Sequence, residues 1–224
     1  MYPHDGGELA DGLSPRRLLS STPVYEGRIW NVVQDRFVFD EATEPLTRDY
    51  IAHPGAVAVV VLDDEDRVLL LNQYRHPVGM TLWEIPAGLM DVAGEPAQAG
   101  AARELAEEAD LEAAEWSVLV DMFNSPGSSS EALRIFLARK PSKIPAELRH
   151  VRTEEEADMP VAWVPLDEAV TAVLRGRIHN PSAVAGILAC AAARNNGYVD
   201  LSPADAPWEA HPGLRSAPAG PKAP

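Results

Sequence analysis

The segment 88–111 narrows the possible folds of this chain more than any other, and it reads GLMDVAGEPAQAGAARELAEEADL. Its second half is helix-forming, and at helical spacing Glu104, Glu107 and Glu108 lie on roughly one face. Carboxylates three and four residues apart repel by roughly 0.2–0.5 kcal/mol per pair unless a cation neutralises them. The segment therefore indicates either a metal site or, as in many acidic helices, a solvated charged face.

The residues just before this helix favour the metal site. WEIPAGLMDVAGE, from Trp83 to Glu95, is a short apolar run that breaks at Pro86, Ala87 and Gly88. Glycine lets backbone approach closely, so we expect the Ala87 carbonyl to face the carboxylates as a neutral oxygen ligand. Magnesium suits such a place, because it takes oxygen ligands and often shares them with substrate phosphates.

Together the two segments resemble a Nudix box, whose pattern is GxxxxxE, seven free residues and REUxEExGU, where U is aliphatic. The matching residues, in order, are Gly88, Glu95, Arg103, Glu104, Leu105, Glu107, Glu108 and Leu111. The sequence departs twice, with one extra residue between Gly88 and Glu95, and with Asp110 where the family has glycine. Loops tolerate added length, and Asp reaches the left-handed conformation more readily than most residues.

The resemblance implies an α/β fold, the Nudix α/β/α sandwich with a mixed sheet, here preceded by a small N-terminal antiparallel β layer. The order of apolar runs agrees, because strand-like segments surround one amphipathic helix and two helices follow late in the chain. Four regions are expected, namely a mobile tail over 1–20, the β layer over 21–52, the Nudix hydrolase domain over 53–200 and a Pro/Ala-rich tail over 201–224.

Charge and composition exclude several functions. The 224 residues carry a formal charge of −15, which argues against nucleic acid or an anionic membrane as the principal partner. The sequence shows neither a signal peptide nor a run near the roughly 20 apolar residues of a membrane span. Cys190 is the only cysteine, and we interpret it as a packed helix residue. A cytoplasmic protein is expected.

The resemblance assigns the metal ligands. Glu104 and Glu108 become the principal ligands of Mg²⁺, Glu107 and the Ala87 carbonyl complete the shell, and Glu108 is also counted among the catalytic residues. Mn²⁺ is an alternative, since both ions are hard and prefer oxygen.

Three further box residues are assigned to holding the metal ligands in place. Arg103 is expected to pair with Glu95 and thereby hold the loop on the helix, and Gly88 gives the close backbone approach. Residues that orient metal ligands in this way strongly affect metal affinity.

Beyond the box, the sequence from about Val24 to Gly197 resembles the ADP-ribose pyrophosphatase subfamily. Members carry a proline sixteen residues beyond the last box glycine, which corresponds to Pro126; the alternative is an ordinary turn proline. QYRHPVGMTLWEIPAG resembles the segment that brings an arginine to the diphosphate. It assigns Arg75 and Glu84 to the substrate site, and the alternative is a surface arginine at a strand end.

The N-terminal β layer is implied to build a domain-swapped homodimer that lends residues to the partner's adenine pocket. Trp30 is the candidate for stacking on adenine. The alternative is a tryptophan in the core or at the subunit interface, where aromatic residues are common.

The subfamily also takes its catalytic base from a loop well after the box, which here contains Glu154, Glu155 and Glu156. Glu156 matches best by its position before Ala157 and Asp158. A solvated acidic loop is the alternative, and geometry is the deciding criterion.

The implied function is Mg²⁺-dependent hydrolysis of ADP-ribose to AMP and ribose 5-phosphate by a metal-activated water. Two alternatives stay open. One is hydrolysis of a different nucleoside diphosphate sugar or dinucleotide, and the other is a catalytically silent module that binds ADP-ribose.

Overall fold

A computed structural model describes residues 9–151 and 159–214. The chain divides into two compact units, Met1–Ala52 and His53–Pro224. The smaller unit is an antiparallel sheet with the order β1 (Arg17–Glu26), β2 (Asn31–Val38) and β3 (Leu46–Ala52).

Strand β1 begins inside the segment 1–20 that was expected to be a mobile tail, so this prediction is wrong from Arg17 onward. The sequence RLLSSTPVYE does not alternate strictly between apolar and polar residues, and it therefore lacks the usual strand pattern. Its order comes from pairing with β2, which extends from Arg17↔Val38 to Glu26↔Asn31.

The larger unit contains a mixed sheet and three α-helices. In chain order the elements are β4 (Ala56–Leu62), β5 (Arg67–Arg75), β6 (Met80–Glu84), β7 (Ala87–Leu89), α1 (Ala97–Ala109), β8 (Leu111–Phe123), β9 (Ala132–Lys143), β10 (Val161–Pro165), α2 (Leu166–Leu174), α3 (Pro181–Asn195) and β11 (Ser202–Pro203). The strand order is β10-β5-β4-β9-β8-β11, with β6 paired to β5 and β7 to β4. The β4–β9 pair is parallel and the remaining pairs are antiparallel.

The core lies on both faces of this sheet. Successive side chains of a strand point to opposite faces, and β4 is buried throughout. Val57 and Val59 pack in the layer that contains Leu105 of α1, whereas Val60 packs in the layer that contains Leu166 of α2 and Ile187 of α3. The predicted mixed sheet between helices is therefore confirmed.

The box helix α1 lies in the second half of segment 88–111, as predicted. Pro96 is its N-cap, and Asp110 is its C-cap in the left-handed conformation, with φ 56° and ψ 34°. The Asp110 N–H donates to the Ala106 carbonyl. Aspartate thus fills the position at which glycine usually ends a helix, and the departure from the box pattern leaves the helix intact.

The hairpin of β4 and β5 splays apart away from its turn. The two strands have one direct register pair, Leu62↔Val68. Further along, β5 pairs with β6, and β4 pairs with β7 from Ala56↔Leu89 to Ala58↔Ala87. The separation of the two strands opens a cleft between the end of β5 and β7.

Residues 202–214, named here the C-terminal strap, pack on the domain. Its strand β11 pairs with β8, and both Trp208 and His211 are buried. The prediction of a tail over 201–224 is therefore wrong for the strap. Among the residues that the structure describes, no helix is long and apolar enough to cross a membrane.

Candidate active site

The cleft between β5, β7 and α1 has a volume of about 270 Å³. Its lining residues are Gln73, Arg75, Ala87, Gly88, Leu89, Asp91, Arg103, Glu104 and Glu108. The fold thus brings together Arg75, the backbone break at Ala87 and Gly88, and the acidic face of α1.

Glu108 ties the acidic helix to strand β7. Its carboxylate is 5% exposed, and Oε2 accepts a hydrogen bond from the Ala87 N–H at 2.9 Å. A buried carboxylate needs such a partner, because an unpaired buried charge is very costly. The contact fixes the position of Ala87 against α1. That the Ala87 carbonyl binds a metal stays a prediction.

Gly88 is required by the close approach of Glu104. A Cβ atom at position 88 would lie 2.1 Å from both Cδ and Oε1 of Glu104. Any side chain at position 88 would therefore push the Glu104 carboxylate away from the strand, which explains why this box position needs glycine.

Arg103 lies among the carboxylates and acts as their counter-ion. The predicted contact with Glu95 is present, with Nε at 3.2 Å from Oε1 and Nη2 at 3.3 Å from Oε2. Nη1 also donates to Glu104 at 2.6 Å and to Glu107 at 3.2 Å. The hydrogen bond with Glu95 and the nearby negative charges raise the pKa of Arg103, so its positive charge is permanent.

The contacts of Arg103 bear on how the acidic side chains are arranged. Within residues 9–151 and 159–214, no group of three or more His, Cys, Asp or Glu side chains is arranged to hold a metal ion. Arg103 instead spans Glu95, Glu104 and Glu107. The like-charge repulsion anticipated from the sequence is thus neutralised by an internal cation.

Arg75 and Glu84 form a bidentate ion pair at the other side of the cleft. Nε of Arg75 is 2.9 Å from Oε1, and Nη2 is 2.6 Å from Oε2. Glu84 is buried and Arg75 reaches the cleft surface. Two parallel hydrogen bonds fix the plane of a guanidinium group, so Glu84 sets the orientation of Arg75.

Pro126, Trp30 and the acidic run 154–156 are the remaining predicted site residues. Pro126 occupies an exposed turn, closed by a 2.9 Å hydrogen bond from the Ser128 N–H to the Ser125 carbonyl, and does not line the cleft formed by the described residues. Trp30 lies in the smaller unit just before β2, and its carbonyl accepts the Gly27 N–H at 3.0 Å. Glu154, Glu155 and Glu156 lie outside the described residues.

Sequence analysis missed Gln73 and Asp91, which also line the cleft. A signal for Gln73 was available, since it stands two residues before Arg75 in one strand and must face the same side. Asp91 comes after Met90, just beyond the end of β7 at Leu89, in the loop whose length departs from the box pattern.

The fold and this cleft are typical of one class of hydrolase, and a comparison with known proteins identifies the family. A family model of the NUDIX domain matches residues 52–185. The chain therefore belongs to the NUDIX domain family, and it is a Nudix hydrolase. Four of its box residues, Gly88, Arg103, Glu104 and Glu108, line the cleft described above.

Named relatives and a solved structure agree with this family. The chain is similar to an ADP-ribose pyrophosphatase of Mycobacterium tuberculosis, with 43% identity over 85% of this chain and 89% of the relative. It is 35% identical to an ADP-ribose pyrophosphatase of Bacillus subtilis over 56% of this chain and 66% of that protein. A crystal structure of an ADP compounds hydrolase superposes with a TM-score of 0.68 at 19% identity, over 85% of this chain and 100% of the other, which supports the fold alone.

Proposed function

We propose that this Nudix hydrolase cleaves the diphosphate of ADP-ribose with the help of Mg²⁺, giving AMP and ribose 5-phosphate. The observation that carries the proposal is the single cleft shared by the carboxylates of Glu104 and Glu108 and the guanidinium of Arg75. Carboxylates bind hard divalent cations, and guanidinium groups bind phosphate oxygens. The relatives named ADP-ribose pyrophosphatase support this choice of substrate.

The donor chemistry of this helix face suits a divalent cation, which would take the place of Arg103 between the carboxylates. Glu104, Glu107 and Glu108 are oxygen donors on one helix, and Gly88 leaves room beside Glu104. The same face already holds a positive group, the Arg103 guanidinium. We assign Glu104 and Glu108 as principal ligands, with Glu107 and the Ala87 carbonyl completing the shell. Mn²⁺ suits the same donors.

A bound divalent cation supplies neutralisation of phosphate charge and a water of lowered pKa. The residues of the chain provide the positioning. Arg75, held by Glu84, binds an oxygen of the diphosphate, and Glu95 holds Arg103 against the helix. Orientation of this kind contributes much of an enzyme's rate enhancement.

Glu156 is our proposal for the group that orients or deprotonates the attacking water. A positioned general base contributes roughly 10²–10⁴-fold to a rate. Glu156→Gln is therefore expected to lower kcat by at least about 100-fold, whereas Glu154→Gln and Glu155→Gln serve as matched controls from the same acidic run. Equal losses in all three variants contradict the assignment of Glu156.

We also propose that the smaller unit forms a homodimer and that Trp30 stacks on adenine. Every residue of β1 is exposed, including Leu18, Val24 and Tyr25. Contiguous exposed apolar residues commonly mark a protein interface. Light scattering after size-exclusion chromatography tests the dimer, which Leu18→Glu combined with Val24→Glu is expected to dissociate. A monomeric wild-type protein contradicts it.

Product chromatography tests the function directly. The purified protein is incubated with Mg²⁺ and ADP-ribose, and in parallel with other nucleoside diphosphate sugars and dinucleotides. AMP and ribose 5-phosphate are the expected products, and Glu104→Gln is expected to abolish them. Glu168→Gln is the matched control, since Glu168 is an exposed glutamate of helix α2. Preferential cleavage of another compound overturns the substrate, and binding of ADP-ribose without cleavage indicates a silent module.

A further inference from the structure

Gln73 is a buried polar residue of the cleft that the box pattern does not include. It is 8% exposed and lines the cleft beside Arg75 and the Ala87–Leu89 strand. Strand geometry fixes its direction, because β5 pairs with β6 from Leu71↔Glu84 through Gln73↔Leu82 to Arg75↔Met80. Gln73 therefore shares one face of the sheet with Arg75.

The amide of Gln73 has no hydrogen-bond partner in the part of the chain that the structure describes. The other buried polar groups around the cleft are paired, since Glu84 binds Arg75 and Glu108 binds the Ala87 N–H. The fully enclosed side-chain atoms that lack partners in the described residues are Oδ1 of Asp35 and Oδ1 of Asn124. The Gln73 amide therefore opens onto the cleft rather than being sealed in the core.

A side chain in this position would be apolar if packing alone decided it. Burying an amide without partners is unfavourable, whereas a hydrophobic residue of the same size is not. The amide instead faces the cleft, where a bound substrate would meet it. Its neutral N–H₂ group also donates to an anion without adding charge to a cleft that already contains Arg75 and Arg103.

We propose that Gln73 is a substrate-binding residue whose Nε2 donates a hydrogen bond to a non-bridging oxygen of the diphosphate. This assignment rests on the proposed function, because a diphosphate bound between Arg75 and the carboxylates of α1 would lie beside the Gln73 amide. Gln73 binds the substrate, whereas the proposed metal ligands on α1 take part in the chemical step. Its loss therefore weakens binding of the diphosphate more than it slows the chemical step.

The test compares Gln73→Met and Gln73→Glu with Asn72→Leu. Met keeps the length of the side chain without the amide, and Glu keeps its shape but replaces the donor with an anion. Asn72 is the neighbouring amide on the opposite face of β5 and does not line the cleft, so Asn72→Leu is the matched control. KM and kcat for ADP-ribose are measured with Mg²⁺, and calorimetry measures the Kd for ADP without any turnover.

Gln73→Met is expected to raise both KM and the Kd for ADP about tenfold, as for loss of one hydrogen bond to a charged group, with kcat within about threefold of wild type. Gln73→Glu is expected to raise both by more, because the carboxylate repels phosphate. The Tm of Gln73→Met should equal or exceed that of wild type, which separates substrate binding from a structural role.

Unchanged KM and Kd in both variants overturn the proposal, as does a lower kcat with unchanged KM. A wild-type protein that leaves ADP-ribose intact, yet binds ADP more tightly than Gln73→Met does, contradicts the proposed function and supports the role of Gln73. A wild-type protein that neither cleaves ADP-ribose nor binds ADP overturns both.

Discussion

Arg103 and Arg134 are both ion-paired arginines of the larger unit, and their surroundings differ in a way that separates activity from stability. Arg134 is buried, binds Asp121 through two hydrogen bonds of 2.8 Å, and donates to the strap carbonyls of Ala206 and Pro207. Its guanidinium also lies 4.8 Å from the centre of the Trp208 ring. Its partners thus come from fixed backbone and a buried ring.

Arg103 is 31% exposed in its side chain and shares its positive charge among three carboxylates, of which Glu104 lines the cleft. The proposed divalent cation would compete with Arg103 for those oxygens, whereas backbone carbonyls around a buried arginine offer no such exchange. Arg134 therefore stabilises the fold, whereas another cation could replace Arg103 at its carboxylate partners.

The largest effect is expected for Arg134→Met. Removing the buried guanidinium leaves the Asp121 carboxylate and the strap carbonyls without their donor, so the free energy of unfolding should fall by about 3 kcal/mol. Urea denaturation measures this change. The folded fraction should keep a kcat near that of wild type. A fall in activity larger than the fall in the folded fraction would contradict the contrast with Arg103.

Arg103→Met is expected to have the opposite profile. Activity should fall by roughly 10–100-fold, as for residues that orient metal ligands, with little change of Tm in Mg²⁺. In EDTA its Tm should drop below that of wild type, because Glu104, Glu107 and Glu95 then repel without a counter-ion. Identical Tm values in EDTA would show that Arg103 does not neutralise this face.

Gly88→Ala is expected to lower activity about tenfold, since the added Cβ displaces the Glu104 carboxylate, and small misplacements of catalytic groups are costly. The fold should survive, because the atoms met are those of a flexible side chain. Gly127→Ala is the matched control, as a Cβ there meets nothing within 4 Å. Steady-state kinetics and Tm measure both variants. Full activity in Gly88→Ala would contradict the placement of Glu104.

The smallest effect concerns pH at the strap. His211 binds the Pro54 carbonyl through Nε2 at 3.0 Å, and burial is the main cause that lowers its pKa; burial likewise lowers the pKa of His53. Both are therefore neutral when folded, while the unfolded chain takes up protons near pH 6.5. Stability is thus complete above this pH and falls as pH decreases below it.

Tm values at pH 7.5 and pH 5.5 check this expectation. His211→Gln keeps a donor for the Pro54 carbonyl but does not titrate, so its Tm should depend less on pH than that of wild type. Equal dependence in the two proteins would exclude His211 as a source of the effect.

How far sequence predicts this molecule depends on the range of the contacts. The helix α1 and its C-cap at Asp110 are local and were predicted from spacing and the box pattern, and the box resemblance predicted the contact of Arg103 with Glu95. The contacts of Arg103 with Glu104 and Glu107 were not predicted. The strap was missed because its Pro/Ala-rich composition has no periodicity and its order comes from Arg134 and Pro54, which are distant in sequence. Gln73 was missed although its spacing from Arg75 places both on one face of β5, because that face was recognised as part of a cleft only in the structure.

The contact between Pro54 and His211 also sets the order in which the domain is completed during synthesis. It joins residues 157 positions apart and closes the start of the first strand of the larger unit with almost the last described residues. Chains emerge at only about 5–20 residues per second. The start of β4 therefore waits for roughly 8–30 seconds until His211 has been synthesised. A nascent chain halted before residue 208 exposes the surface that Trp208 later covers.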